Sequence, residues 1–227
     1  MRKWFAVIGL IGVLLSGCVQ NEPSVKNDPP KNEPQATLQV YLDVENLMQQ
    51  PALPNGCEVV SLAIVLRYAG IDVDPVQLYE QFMPKSPYKQ GDPWLTYVGD
   101  ATGRGLGCYA PCVERTGNAY LKSIGSYRQI EDVSEKAMSY YEHCIDNAVP
   151  VILWGLKDMN GNADIFWSDT IDGKEVDWHR YSHCVVLIGY TDTTYLVCDP
   201  LKGIVEYEKG DVERSFEINY RQACVIR

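Results

Sequence analysis

Ser182-His183-Cys184-Val185-Val186-Leu187-Ile188-Gly189-Tyr190-Thr191-Asp192-Thr193-Thr194-Tyr195-Leu196-Val197-Cys198-Asp199-Pro200 reads as two strands and the turn between them. The apolar, β-branched run from Cys184 to Tyr190, the polar turn 191–193 and the second run from Thr194 to Cys198 predict an antiparallel hairpin. Further runs at Val151–Trp154, Ile204–Tyr207 and Ala223–Ile226 extend it to a sheet. Upstream the periodicity is helical: an apolar segment follows Cys57, Val76 to Phe82 starts behind Pro75, and Val113–Leu121 and Glu131–Asn147 follow, the last with a stripe of Val133, Ala137, Met138, Tyr141 and Ile145. Helices first and strands later predict an α+β fold, with N-terminal helices packed on a C-terminal antiparallel sheet.

The ends of the chain are read separately. Met1-Arg2-Lys3 and the apolar run Trp4–Leu15 have the form of an export signal, too short to span a bilayer as a mature helix. The run closes on Leu15-Ser16-Gly17-Cys18, which resembles the bacterial lipobox and predicts a signal over 1–17 and lipidation of Cys18. Residues 18–37 are polar and proline-rich and read as a tether, leaving 38–227 as one domain. The formal net charge is −10 and polybasic runs are absent, so nucleic acid is disfavoured as a partner and membrane attachment would rest on the lipid. Of eight cysteines, Cys18 aside, seven remain, a parity compatible with a free Cys57 and up to three disulfides.

The candidate chemistry lies on three residues. Gln49-Gln50-Pro51-Ala52-Leu53-Pro54-Asn55-Gly56-Cys57-Glu58 places Cys57 where a loop turns into a helix, with Asn55 read as the N-cap. There the unpaired N–H groups and the helix dipole favour thiolate. His183 opens the most apolar strand, and a hairpin brings Asp199 beside it as an orienting acceptor. Taken singly, each has a plain structural reading: a small buried thiol, a satisfied core imidazole, a turn-forming Asp-Pro. Together they fall in an order and spacing close to papain-like enzymes, where the histidine and asparagine follow the cysteine by about 130–150 residues; here the separations from Cys57 are 126 and 142 residues. His143 reads as a surface residue. A rival reading puts zinc on Cys108, Cys112, His179 and His183, although a spacing of four does not bring two histidines together on a strand. The Gly-rich stretch ending in Gly103-Arg104-Gly105-Leu106-Gly107 lacks the Lys-Ser/Thr of a phosphate loop and reads as a cleft wall. Trp94 and Tyr97 within the loop from Pro84 to Gly107, and Phe166, Trp167 and Trp178 within the irregular insertion from Asn160 to Tyr181, are expected to line that cleft.

Leu53-Pro54-Asn55-Gly56-Cys57-Glu58-Val59-Val60-Ser61-Leu62-Ala63, Gly105-Leu106-Gly107-Cys108-Tyr109-Ala110-Pro111, Pro150–Trp154, His183–Tyr190 and Asp199-Pro200-Leu201 together resemble the stand-alone bacterial proteins related to the bacteriocin-processing peptidases, family C thirty-nine. The resemblance implies a papain-like fold and a cysteine, histidine and aspartate at work, roles that fall on Cys57, His183 and Asp199. It also implies a glutamine upstream as oxyanion donor. Gln49 is preferred over Gln50, although the spacing through Pro51 and Pro54 is longer than in the transporter-linked members. The expectation is a lipid-anchored, extracytoplasmic thiol peptidase or amidase acting on a peptide or protein substrate, with no cofactor or metal. A non-catalytic peptide-binding module on the same fold, and acyl transfer or deamidation by the same thiol, are the alternatives.

Overall fold

The computed structural model describes residues 40–159 and 164–227. The signal segment 1–17, Cys18 and the tether 18–37 lie outside the described residues. Among those described, no helix is long and apolar enough to cross a membrane.

The expected α+β class holds. A seven-stranded antiparallel sheet runs in the order Gly203–Glu208, Thr194–Asp199, Ser182–Tyr190, Val151–Leu156, Ala223–Ile226, Ile130–Asp132, with Val40–Tyr41 paired on the 182–190 strand. Val151–Leu156 and Ala223–Ile226 are buried throughout, which is why their sequences are continuous apolar runs with no alternation. The Cys57–Tyr68 helix is apolar on every side, and its first ten residues are buried. Ser61 in its second turn donates from Oγ to the Cys184 carbonyl at 3.3 Å, tying the helix to the central strand.

The register of the quoted hairpin decides where its polar residues point. Tyr195 and Leu196 pair with Tyr190 and Gly189, whereas Val197 and Cys198 pair with Leu187 and Val186, leaving Ile188 as the extra residue of a bulge. Side chains alternate along a strand, so this one-residue slip brings Asp199 to the face His183 occupies; an unbroken register would have put Cys198 and Pro200 there.

Several expectations need correction. The expected helix over 131–147 is a strand, Ile130–Asp132, followed by a helix, Met138–Asp146. Edge pairing with Ala223–Ile226 overrides the local helical stripe. The irregular insertion is a hairpin of Ile165–Ile171 and Lys174–His179. It turns at Asp172-Gly173, both at positive φ, the two-residue turn that suits twisted strands. The charged segment Lys209–Ile218 forms a helix that burial of Val212, Ser215 and Phe216 secures. All seven described cysteines are buried and free, so none of the disulfides allowed by parity is present.

Candidate active site

The helix that carries Cys57 begins at that residue, and its N-cap is Gly56, not Asn55. Asn55 serves the opposite wall instead: its Nδ2 donates to the Gly103 carbonyl, its N–H donates to Ala101, and its carbonyl accepts from the buried Tyr97 hydroxyl. These bonds fasten the glycine-rich loop beside the helix start. Between this loop and the Ser182–Tyr190 strand lies a cleft of about 530 Å³, lined by Cys57, Glu58, Gln49 and His183 among others.

His183 and Asp199 meet as the hairpin predicts. His183 Nε2 lies 2.7 Å from Asp199 Oδ1, with only 4% of the imidazole and 1% of the carboxylate side chain exposed. Burial pushes the Asp199 carboxyl up, but the His183 hydrogen bond and charge outweigh it and hold the group below the usual carboxylate range. An ionised carboxylate only accepts, so the Nε2 proton is directed at Asp199 and Nδ1 is the ring nitrogen that Asp199 leaves unengaged. The same Oδ1 accepts the Leu201 N–H at 2.7 Å. Asp199 therefore both forms the turn and orients the histidine, and the two readings of the Asp-Pro pair are not exclusive.

Cys57 is less simple. Its thiol donates to Glu58 Oε2 at 3.3 Å. Burial pushes its pKa well above the ordinary thiol value, and the Glu58 carboxylate adds to the rise, while a backbone hydrogen bond from Cys184 works the other way. The helix start does not prevail, and the resting group is a neutral thiol. Glu58, which sequence reasoning passed over, is the centre of this arrangement: it is buried, burial raises its pKa, and Oε1 accepts the Cys108 N–H at 3.0 Å. Its carboxyl joins the Cys57 helix to the loop across the cleft. Gly107 makes room for it, at φ +102 with a Cβ position only 2.2 Å from Oε1. The signal was present in the sequence, since Glu58 is the only charged side chain in the apolar run from Cys57 to Leu66.

Gln49 is buried in the same cleft, with Nε2 donating to the Pro54 carbonyl at 2.6 Å and Oε1 unpartnered. Gln50 also lines it, but is exposed. The zinc grouping does not form: among the described residues no three or more His, Cys, Asp or Glu side chains are placed to hold a metal. His143 is exposed, as expected.

The aromatic expectations divide. Phe166 lines the cleft. Tyr97 and Trp178 are buried, and the half-buried Trp94 and Trp167 pack on other rings, Trp94 on Tyr109 and Tyr220 and Trp167 on Trp178 at 6.0 Å between centroids, so none of these four lines the cleft. Tyr88, Arg104 and Arg180 line it from the two segments expected to form its walls, and Lys157, outside both, adds a third cation.

A model described as the Peptidase_C39 like family matches residues 41–224. The uncharacterized protein YvpB of Bacillus subtilis (strain 168) is 30% identical over 184 residues, covering 78% of this chain and 69% of that protein. A crystal structure of a Bacillus anthracis protein, provisionally assigned as a C39-like peptidase, is similar with a TM-score of 0.74 and 27% identity, covering 83% of this chain and 96% of that one. The double glycine motif protease of an AMS/PCAT transporter, solved with a leader peptide, has a TM-score of 0.45 and 18% identity over 82% of this chain and 92% of that one.

Proposed function

Because this chain belongs to the Peptidase_C39 like family, we propose that it is a thiol peptidase or amidase in which Cys57 is the nucleophile, His183 the base and Asp199 the group that orients the base. The observation that carries this reading is the 2.7 Å contact between His183 and Asp199 on the wall of the cleft that Cys57 also lines. With Nε2–H committed to Asp199, Nδ1 accepts the Cys57 proton. The thiol is neutral at rest, so deprotonation accompanies attack: the sulfur bonds to the carbonyl carbon, the Sγ proton passes to Nδ1, and the carbonyl oxygen becomes an oxyanion. Two donors serve that oxygen. One is the Cys57 N–H, a first-turn amide with no helical acceptor, and the other is the second amide hydrogen of Gln49, whose first is held by Pro54. Collapse hands the imidazolium proton to the leaving amine and leaves a thioester on Cys57. Water, deprotonated by the same imidazole, then releases the acid and restores the thiol.

A peptidyl epoxide directed at thiol peptidases tests this. Mass mapping should find the label on Cys57, at a rate that falls at least about a hundredfold in His183→Ala, the range of general-base assistance. Labelling that avoids Cys57, or that His183→Ala leaves unchanged, would overturn the proposal. The lipobox-like Leu15-Ser16-Gly17-Cys18 supports an exported, membrane-anchored form that meets its peptide or protein substrate outside the cytoplasm. On that reading Cys18→Ala moves the chain from the membrane fraction to the soluble one, and an unchanged distribution would count against the anchor.

A further inference from the structure

The cleft carries the opposite sign to the rest of the chain. Formal net charge is −10 over the sequence, yet Arg104, Lys157 and Arg180 all line the pocket around Cys57 and His183. The three are exposed, and among the described residues none is in an ion pair. Glu58, the single carboxylate of the lining, is buried and engaged with Cys57 and Cys108. Asp158, next to Lys157 in the chain, is turned to Lys202.

Two of these cations are held in place without losing their donors. The Arg104 guanidinium lies 4.1 Å from the Tyr88 ring centroid and that of Arg180 lies 5.4 Å from the Phe166 centroid. Both rings belong to the cleft walls. A cation–ring contact restrains the guanidinium head and leaves N–H donors for a carboxylate. Arg104 belongs to the glycine-rich loop. Lys157 and Arg180 stand on the other wall, where the Lys157 N–H donates to the Tyr181 carbonyl at 2.8 Å. A peptide laid across the thiol passes between the two walls. On a chain of negative net charge, three cations outside any ion pair beside the thiol give this cleft a local attraction for an anionic ligand.

We infer that the cleft selects acidic peptides, whose Asp or Glu side chains near the bond presented to Cys57 are held by Arg104, Lys157 and Arg180. The inference rests on the thiol peptidase reading for the bond that is cut, and on the charges alone for the peptide that is held.

The test separates the two. The full chain carrying Cys57→Ala is titrated, by fluorescence anisotropy, with three dye-labelled peptides of equal length that bear glutamate, glutamine or lysine at the varied positions. All are acetylated and C-terminally amidated, so that only side-chain charge differs. Each cation should contribute about two- to fivefold, so the glutamate peptide should bind roughly tenfold or more tighter than the glutamine peptide, with lysine weakest. That gap should shrink as ionic strength rises from about 0.01 to 0.15 M and the screening length shortens from about 30 to 8 Å. It should vanish in Arg104→Gln/Lys157→Gln/Arg180→Gln and persist in the charge-keeping Arg104→Lys/Arg180→Lys. Equal binding of the glutamate and glutamine peptides, or a preference that survives the triple neutralisation, overturns the inference. Epoxide labelling of Cys57 in the otherwise native chain is scored beside it. His183-dependent labelling without acid preference sinks the substrate class alone, whereas acid preference without such labelling sinks the peptidase reading and leaves the acidic-peptide site standing.

Discussion

Glu58→Gln removes the carboxylate that accepts from the Cys57 thiol while keeping nearly its shape. Glu58 Oε2 lies 3.3 Å from the Cys57 sulfur. Two unit charges at that separation repel by roughly 5 kcal/mol at an effective dielectric of 20 and by about 1 kcal/mol in water. The carboxylate charge is shared by two oxygens and the cleft opens to solvent, so the lower part of that range, about 1.5–3 kcal/mol, applies; it equals roughly one to two pH units in the thiol titration. The glutamine retains an acceptor oxygen for the Cys108 N–H, and the cleft wall stays in place. The assay is the rate of iodoacetamide alkylation against pH, resolved for Cys57 by mass spectrometry. The midpoint should fall by one to two units, and alkylation near neutral pH should quicken by about ten- to a hundredfold. A midpoint that stays or rises, in a variant of unchanged thermal stability, would refute the claim that Glu58 helps hold the thiol neutral.

The same carboxyl has a stability signature. Its folded pKa is raised by burial from the ordinary value of 4.5, so the native state binds more protons than the unfolded chain between the two values; stability is greatest below that window and falls as pH rises through it. Urea unfolding across pH should show this decline in the native chain and a flatter curve in Glu58→Gln. Asp199 works with the opposite sign: its folded pKa is depressed below 3.8, so its contribution is present above that value and is lost as pH falls through the folded one. Asp199→Ala should abolish this acid-side loss and, by removing the acceptor that orients His183, cut peptide turnover by about two to four orders of magnitude; unimpaired turnover would remove Asp199 from the mechanism. Gly107→Ala forces a methyl to within 2.2 Å of Glu58 Oε1 at φ +102, and should cost about 1–3 kcal/mol in thermal or urea unfolding. A neutral result there would show that the loop is not held through Glu58.

What was legible in the sequence follows from how local each signal is. The strands of the central sheet announce themselves because burial on both faces demands unbroken apolar runs, and the 182–200 hairpin needs only a short turn to declare its pairing. His183 and Asp199 could be brought together from that hairpin alone, although the bulge that puts them on one face leaves no mark in the residue types. Two failures share a cause, namely partners distant in sequence, while a third, at Cys57, comes from burial and an adjacent carboxylate. Ile130–Asp132 is a strand only because Ala223–Ile226 lies beside it, and its helical stripe is otherwise convincing. Asn55 has the chemistry of an N-cap but spends it on Gly103, 48 residues away. Cys57 sits at a helix start as expected, yet its electrostatics are decided by burial and by Glu58. The Ile165–His179 hairpin is a different case, since Asp172-Gly173 is a strong turn signal that the polar outer faces of its strands obscured.

The claim on which the rest depends is that Cys57 forms an acyl intermediate with His183 as its base. Intact-mass analysis of the full chain mixed with an activated peptide ester measures this directly. The account predicts a single acyl adduct that maps to Cys57, decays in water to the free acid and native thiol, and forms at least about a hundredfold more slowly in His183→Ala. An adduct that never reaches Cys57, or one that forms there equally fast without His183, would contradict it.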